Sequence, residues 1–403
     1  MNIAIALIGL GFLILVHEAG HFFASLAVGL RPRRFYVGFP PAIAKTTRRG
    51  IEYGLGAIPL GGFVSIPGMH RPIPHDAERR FGRAVSEDPS LTGPYDRVRR
   101  GLDGADPHDA LPALDEFEAA LEPRDVSREA RKSAEKGLTE LRDGLGSDAY
   151  WKAPTWKRLV AIFAGPAANI LLAIGLLFAL YVTNGKTVPV VASVVEGSRA
   201  DQIGLQPGDR VLVVDGATIQ RAADIPDRIS GSDGRKIAVV VLRDGQERTL
   251  GPIAPERAEN GSYRLGFALD AVGLGPLGAL GRSFEVTWLV TEETVKSIGR
   301  LAFGEGREDV ASPIGITDFS AQAVDQGTES YLLVLALVSL SLALLNLLPL
   351  LPLDGGHILF ALLEGARGRN MRREVYERVS VIGIALVLLL FFIGVSNDIG
   401  RLS

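Results

Sequence analysis

Three stretches of the chain, Leu159 to Gly185, Tyr331 to Leu353 and Val379 to Asn397, contain no charged side chain. A bilayer core of about 30 Å takes roughly 20 helical residues to cross, and a helix satisfies its own backbone polar groups there. Each stretch therefore predicts a transmembrane helix, and the apolar content, 47% of 403 residues, agrees with a membrane protein. A fourth stretch, Asn2 to Leu30, is as long and as apolar except that it carries His17, Glu18 and His21. It lacks a basic leader and stays apolar through Phe22, Phe23 and Leu26, so it reads as a span rather than a cleaved signal peptide.

Basic residues gather after the first span (Arg31, Arg33, Arg34, Lys45), before the second (Lys152, Lys157, Arg158) and between the third and fourth (Arg367 to Arg378). The positive-inside rule puts all three segments in the cytosol. Four spans then place both termini, and the segment between the second and third spans, outside it. Lys and Arg (43) nearly balance Asp and Glu (46), and a net charge of −3 gives no broad basic field, which argues against a nucleic-acid partner. The absence of cysteine excludes disulfides, a thiol nucleophile and a thiolate metal site, so any metal must be held by the six histidines and by carboxylates.

The segments between the spans differ in character. Residues 31–69 include a Gly-rich alternating run, Tyr53 to Ile66, which predicts short strands and tight turns at the membrane face. Residues 70–150 form a cytosolic insert dense in charge of both signs, with helical spacing of Leu111, Leu114, Phe117, Ala120 and Leu121. A solvated helical hairpin or a partly disordered linker is the expectation for it. Residues 186–270 alternate apolar runs with turn signals, as in Gly208-Asp209-Arg210-Val211-Leu212-Val213-Val214-Asp215-Gly216, and predict a small mainly β domain. Its Ser198 to Asp209 stretch resembles the core of bacterial PDZ domains, which bind extended peptides at a sheet edge. Residues 271–330 read as an amphipathic linker suited to lie along the membrane or on the spans, with Phe284, Trp288, Val295 and Leu301 on one side.

His17-Glu18-Ala19-Gly20-His21 is HExxH in a helical context. Positions i and i+4 share a face, so two imidazoles can converge on one zinc while Glu18 reaches an attached water as general base. Ionisable side chains inside a span are costly and mark function. Two histidines leave the site short of a ligand, since catalytic zinc has three protein ligands plus water. Asp354 is the natural third, at the end of the third apolar stretch in Asn346-Leu347-Leu348-Pro349-Leu350-Leu351-Pro352-Leu353-Asp354-Gly355-Gly356-His357. The prolines break the helix, and the two glycines permit a turn toward the metal. His357 is a competing ligand. Asn346 and Asn169 suit hydrogen bonds to substrate or between spans, with a supporting role favoured for Asn169 and for Pro349.

These motifs resemble the site-2 protease family of intramembrane zinc metalloproteases, in its RseP-like bacterial branch. The carriers are HEAGH in the first span, Gly165-Pro166-Ala167-Ala168-Asn169 in the second, the PDZ-like region, Ser312-Pro313-Ile314-Gly315-Ile316, and the Asn346 to Gly355 segment. The resemblance implies that His17, His21 and Asp354 bind Zn2+, that Glu18 is the base, and that Gly61, Gly62, Phe63 and Val64 form the strand loop that holds substrate. It also implies residence in the bacterial cytoplasmic membrane and single-span substrates already trimmed outside, such as anti-sigma factors or remnant signal peptides. The expected fold is an α-helical polytopic membrane protein with four transmembrane helices, a mainly β PDZ domain and a membrane-associated β loop. The expected order is 1–30 first span, 31–69 β loop, 70–150 insert, 151–185 second span, 186–270 PDZ, 271–330 linker, 331–357 third span with the Asp ligand, 358–378 cytosolic loop, and 379–403 fourth span. The alternative is a membrane PDZ scaffold, contacting peptides or proteins, whose zinc site is structural or silent.

Overall fold

The computed structural model describes residues 1–104, 106–122, 124–258, 261–371 and 373–402. They form two compact units, one of Met1–Ala173 with Leu289–Ser403 and one of Ile174–Trp288. In the first unit, α1 (Asn2–Val28) ends at Gly29, whose φ of 85° supplies the left-handed cap. Then β1 (Arg34–Arg48) and β2 (Ile51–Ser65) form a long hairpin through Arg49 and Gly50, both at positive φ. Each strand serves twice. Phe35 to Val37 pairs with Tyr53 to Leu55 on one side and with Gly62 to Val64 on the other, while Lys45 to Thr47 pairs with Glu52 to Gly54. Phe22 of α1 packs on Phe35 and Tyr53, which seats this curled sheet against the first span.

Residues 70–150 depart from the expected hairpin or linker. α2 (Pro74–Glu87), α3 (Thr92–Asp103), α4 (Leu111–Leu121) and α5 (Arg128–Leu145) enclose their own core. Phe81 stacks on Phe117 at 4.2 Å, among Leu91, Leu114, Leu138 and Leu145. The charge that suggested a linker is the outer face of this bundle. Arg33 fastens it to the hairpin, donating to Asp143 at 2.7 Å and to Asp148 at 2.8 Å. The guanidinium of Arg373 pairs with Asp76 at the start of α2.

α6 (Thr155–Asn184) runs from the first unit into the second. The second unit holds a sheet in the order β10-β3-β4-β6-β7, made of β3 (Lys186–Val194), β4 (Arg210–Val214), β6 (Ile237–Arg243), β7 (Gln246–Ile253) and β10 (Phe267–Val272). β5 (Ala217–Thr218) pairs with β4, and β8 (Glu256–Arg257) pairs with β9 (Tyr263–Arg264). With α7 (Arg199–Gln202) and α8 (Asp224–Ser230) the sheet closes over Val211, Val214, Ile225, Ile237, Val239 and Leu265. The 271–330 segment is helical rather than a plain linker. α9 (Pro276–Ala302) starts where Leu274 N–H donates to the Tyr181 carbonyl of α6 at 2.9 Å, and α10 (Pro313–Asp325) comes next. The Asp398 carboxylate caps α10, accepting from the Ser312 and Gly315 N–H groups at 2.9 and 3.0 Å.

α11 (Thr328–Asn346), α12 (Asp354–Arg367) and α13 (Arg373–Leu402) complete the chain. α1, α6, α11 and α13 are long and apolar enough to cross a membrane. Small residues bring three of them together. Gly20 of α1 lies against Ala164 and Ala168 of α6, Gly9 lies against Tyr331 of α11, and Ser339 of α11 donates to the Asn169 carbonyl at 2.9 Å. The third apolar stretch is helical only to Asn346. Pro349 and Pro352 cannot continue a helix, so Asp354 opens α12, which occupies most of the expected 358–378 loop.

Candidate metal centre

His17 and His21 lie one turn apart on α1, buried to 6% and 7% exposure. Their Nε2 atoms are 3.2 Å apart, and Asp354 Oδ2 lies 3.1 Å from the first and 3.3 Å from the second. Among the described residues these three make a group able to hold a metal ion. Ligands at 2.0–2.1 Å from a tetrahedral zinc stand about 3.3 Å apart, so the triangle matches one face of such a site and leaves a fourth position open. Three lone-pair donors crowded this closely cannot satisfy one another by hydrogen bonds, and a cation resolves the conflict.

The elements around the triangle hold it in register. His21 Nδ1 lies 2.9 Å from the Ala161 carbonyl of α6. That oxygen only accepts, so Nδ1 carries the proton and Nε2 keeps its lone pair for the metal. Gly165, one turn further along α6, abuts the same imidazole closely enough that a Cβ would collide with it. Asp354 reaches the histidines because the turn before α12 is tight: a Cβ at Gly356 would meet the backbone of Leu350 and Leu351 at 2.5 to 2.8 Å.

A cavity of about 450 Å³ opens on the triangle and on Glu18. Phe63, Val64 and Asn346 line it, and Gly62 backs Glu18 so closely that a Cβ there would come within 3.1 Å of the Glu18 Cγ. Gly61 lies in the same strand, β2. Asn346 spends its amide on the Leu342 carbonyl at 3.0 Å, which leaves its oxygen for another donor. His357 lines the cavity but stands outside the three-atom group. Asn169 is fully buried on α6 away from this cavity, with its backbone carbonyl taking the Ser339 hydroxyl. Pro352, not Pro349, lines the cavity, and Pro349 is exposed. Sequence reasoning missed the Ala161 carbonyl, a backbone group with no side-chain signature, and a buried ion pair between Arg158 and Glu364, 206 residues apart.

A family model described as Peptidase family M50 matches residues 5–390. The chain is 28% identical, over the whole of both chains, to zinc metalloprotease RasP of Bacillus licheniformis. It is 31% identical to a putative zinc metalloprotease of Rhizobium meliloti, with 98% of this chain and 95% of the relative covered. Similarity to zinc metalloprotease RasP of Geobacillus kaustophilus is 26%, over 97% of this chain and 96% of that one.

Proposed function

Because the chain belongs to peptidase family M50, the site-2 proteases, and is an intramembrane zinc metalloendopeptidase, we propose that His17, His21 and Asp354 are its zinc ligands and Glu18 its general base. The observation that carries this is the convergence of two imidazole nitrogens and a carboxylate oxygen within 3.3 Å of one another, beside Glu18, in a span. Zinc, when bound, supplies a Lewis acid that polarises the scissile carbonyl and lowers the pKa of a water to about 7. The Glu18 carboxylate takes a proton from the attacking water and passes it to the leaving amine nitrogen. His21 is held in the ligating tautomer by Ala161, and Asp354 offers an anionic oxygen.

A transmembrane substrate hides its carbonyls in helical hydrogen bonds and must unwind locally to be cut. The Gly62 to Val64 segment is suited to receive it. One side of that segment pairs with Phe35 to Val37, and among the described residues no strand pairs with its other side. An unwound substrate added at this edge recovers its backbone bonds beside Glu18. The antiparallel sheet of the second unit, with α7 and α8 on it, supports a PDZ reading for residues 186–270. Single-span membrane proteins as substrates, peptide contact at the PDZ domain, and a bacterial cytoplasmic membrane with both termini outside complete the proposal.

The scaffold alternative requires a closed zinc site with a fourth protein ligand. Among the described residues only three ligand atoms gather, which favours a catalytic site. The test is zinc content alongside cleavage of a single-span protein by the purified enzyme. Glu18→Gln is expected to keep zinc and lose cleavage, whereas His17→Ala and Asp354→Ala lose zinc as well. Full zinc in Asp354→Ala with loss of zinc in His357→Ala would reassign the third ligand.

A further inference from the structure

Arg158 and Glu364 are buried to 4% and 6% exposure, with Nη2 to Oε2 at 2.6 Å. Neither takes part in the proposed chemistry. Their positions nevertheless connect the two halves of the metal site. Arg158 stands in the first turn of α6, one turn before Ala161, whose carbonyl orients His21, and two turns before Gly165, which abuts it. Glu364 stands on α12, the helix whose first residue is Asp354, about 15 Å along its axis. The second oxygen of Glu364 accepts from Met371 N–H at 2.7 Å and faces the Tyr376 hydroxyl of α13 at 3.4 Å. The Arg158 guanidinium also lies 4.8 Å over the Tyr150 ring.

The backbones meet at the same place. Gly365 packs on Thr155, where a Cβ would stand 2.5 Å from the threonine hydroxyl. One crossing therefore sets how α12 lies on α6. Such a setting is needed, because residues 347–353 between α11 and α12 are not helical and transmit no helical register to Asp354. Apolar contacts such as Phe360 on Tyr376, 4.3 Å between ring centres, hold α12 without direction. A buried ion pair adds little stability over an apolar pair of the same size, but it has a defined geometry.

We propose that Arg158 and Glu364 are positioning residues for the metal site, setting the distance of Asp354 from His17 and His21 through the α6–α12 crossing. The inference rests on the reading of those three residues as zinc ligands. The full-length protein is purified in detergent and its zinc affinity measured by competition with a chelator, with the visible spectrum of the cobalt-loaded form as a readout of ligand geometry. The informative variant is Arg158→Met with Glu364→Met, which removes both charges and leaves neither buried alone. It is expected to keep the thermal stability of the wild type while its zinc Kd rises tenfold or more and its cobalt spectrum changes. Glu364→Gln, which keeps the shape of the side chain, is expected to shift both readouts the same way, and it decides the matter if the double variant does not fold. Wild-type affinity and spectrum in the folded variant would overturn the proposal. Asp354→Ala separates the two ideas: if it retains wild-type zinc affinity, the ligand reading fails, and if it loses zinc while the Arg158/Glu364 variant does not, only the positioning role fails.

Discussion

Gly165→Ala tests how the second span shapes the metal site. A Cβ on Gly165 would stand 2.5 Å from the His21 Cε1 and 2.8 Å from its Cδ2, and nearer still to Nε2. Carbon atoms in ordinary contact are about 3.5–4.0 Å apart, so the ring must retreat by about 1 Å. Its tether, the 2.9 Å bond from Nδ1 to Ala161, comes from the same helix and cannot follow that retreat unchanged. Metal–ligand distances tolerate about 0.2 Å, so the displaced nitrogen no longer ligates. Loss of an outer partner alone costs about 10–100-fold in affinity, and loss of the ligand should exceed that, a rise in zinc Kd of about 100-fold or more, near 2.7 kcal/mol. Gly175→Ala is the control on the same helix. Nothing lies within 4 Å of its Cβ position, and alanine should stabilise the helix by about 0.5–1 kcal/mol without touching zinc. Chelator competition on both purified variants gives the comparison. Wild-type affinity in Gly165→Ala would refute the claim that this glycine sets the place of His21.

Phe117→Ala should cost the 74–145 bundle about 3–5 kcal/mol, because the fully buried ring stacks on Phe81, and hydrogen exchange should accelerate across α2 to α5. Unchanged exchange there would mean that the bundle does not depend on this core. In the second unit, burial raises the Asp209 pKa, but the Arg243 guanidinium at 2.5–2.6 Å and the Gln206 N–H outweigh it and hold the carboxyl below its ordinary value. A depressed folded pKa gives stability that is full above about pH 4 and is lost as pH falls through the folded value, so acid should loosen residues 186–272. Asp209→Ala, leaving Arg243 unpaired, should cost about 3 kcal/mol at neutral pH and leave zinc affinity unchanged, since no metal-site residue lies in that unit. The orientation is checked by single cysteines in a chain that has none. In intact cells an impermeant thiol reagent should label Gln246→Cys and not Glu129→Cys, both at exposed positions, and the reverse pattern would invert the topology.

The parts of this fold legible in the sequence are those written locally. A run without charge from Leu159 to Gly185 leaves few alternatives to a span, and His17, Glu18 and His21 declare their common face by spacing alone. The break at Pro349 and Pro352 was also readable, but not that Asp354 would open a new helix, because a proline ends one helix without specifying the element after it. The 70–150 bundle was hidden by its own surface. Its core residues, such as Phe81, Val98 and Leu138, are sparse among charges, and only their packing across four helices shows a domain. The contacts that position the site were beyond reach for a different reason. His21 meets Ala161 across 140 residues and Arg158 meets Glu364 across 206, and no periodicity in a single sequence encodes such pairings.

Hydrolysis inside the membrane, by Glu18 and its neighbouring zinc site, is the central claim. A purified single-span protein is incubated with the enzyme in lipid vesicles and heavy-oxygen water, and the products are mapped by mass spectrometry. The expected result is a cut within the apolar segment of the substrate, with one heavy oxygen in the new carboxyl group, which zinc-loaded Glu18→Gln fails to make. A cut confined to the polar flanks, or undiminished cleavage by Glu18→Gln, would contradict it.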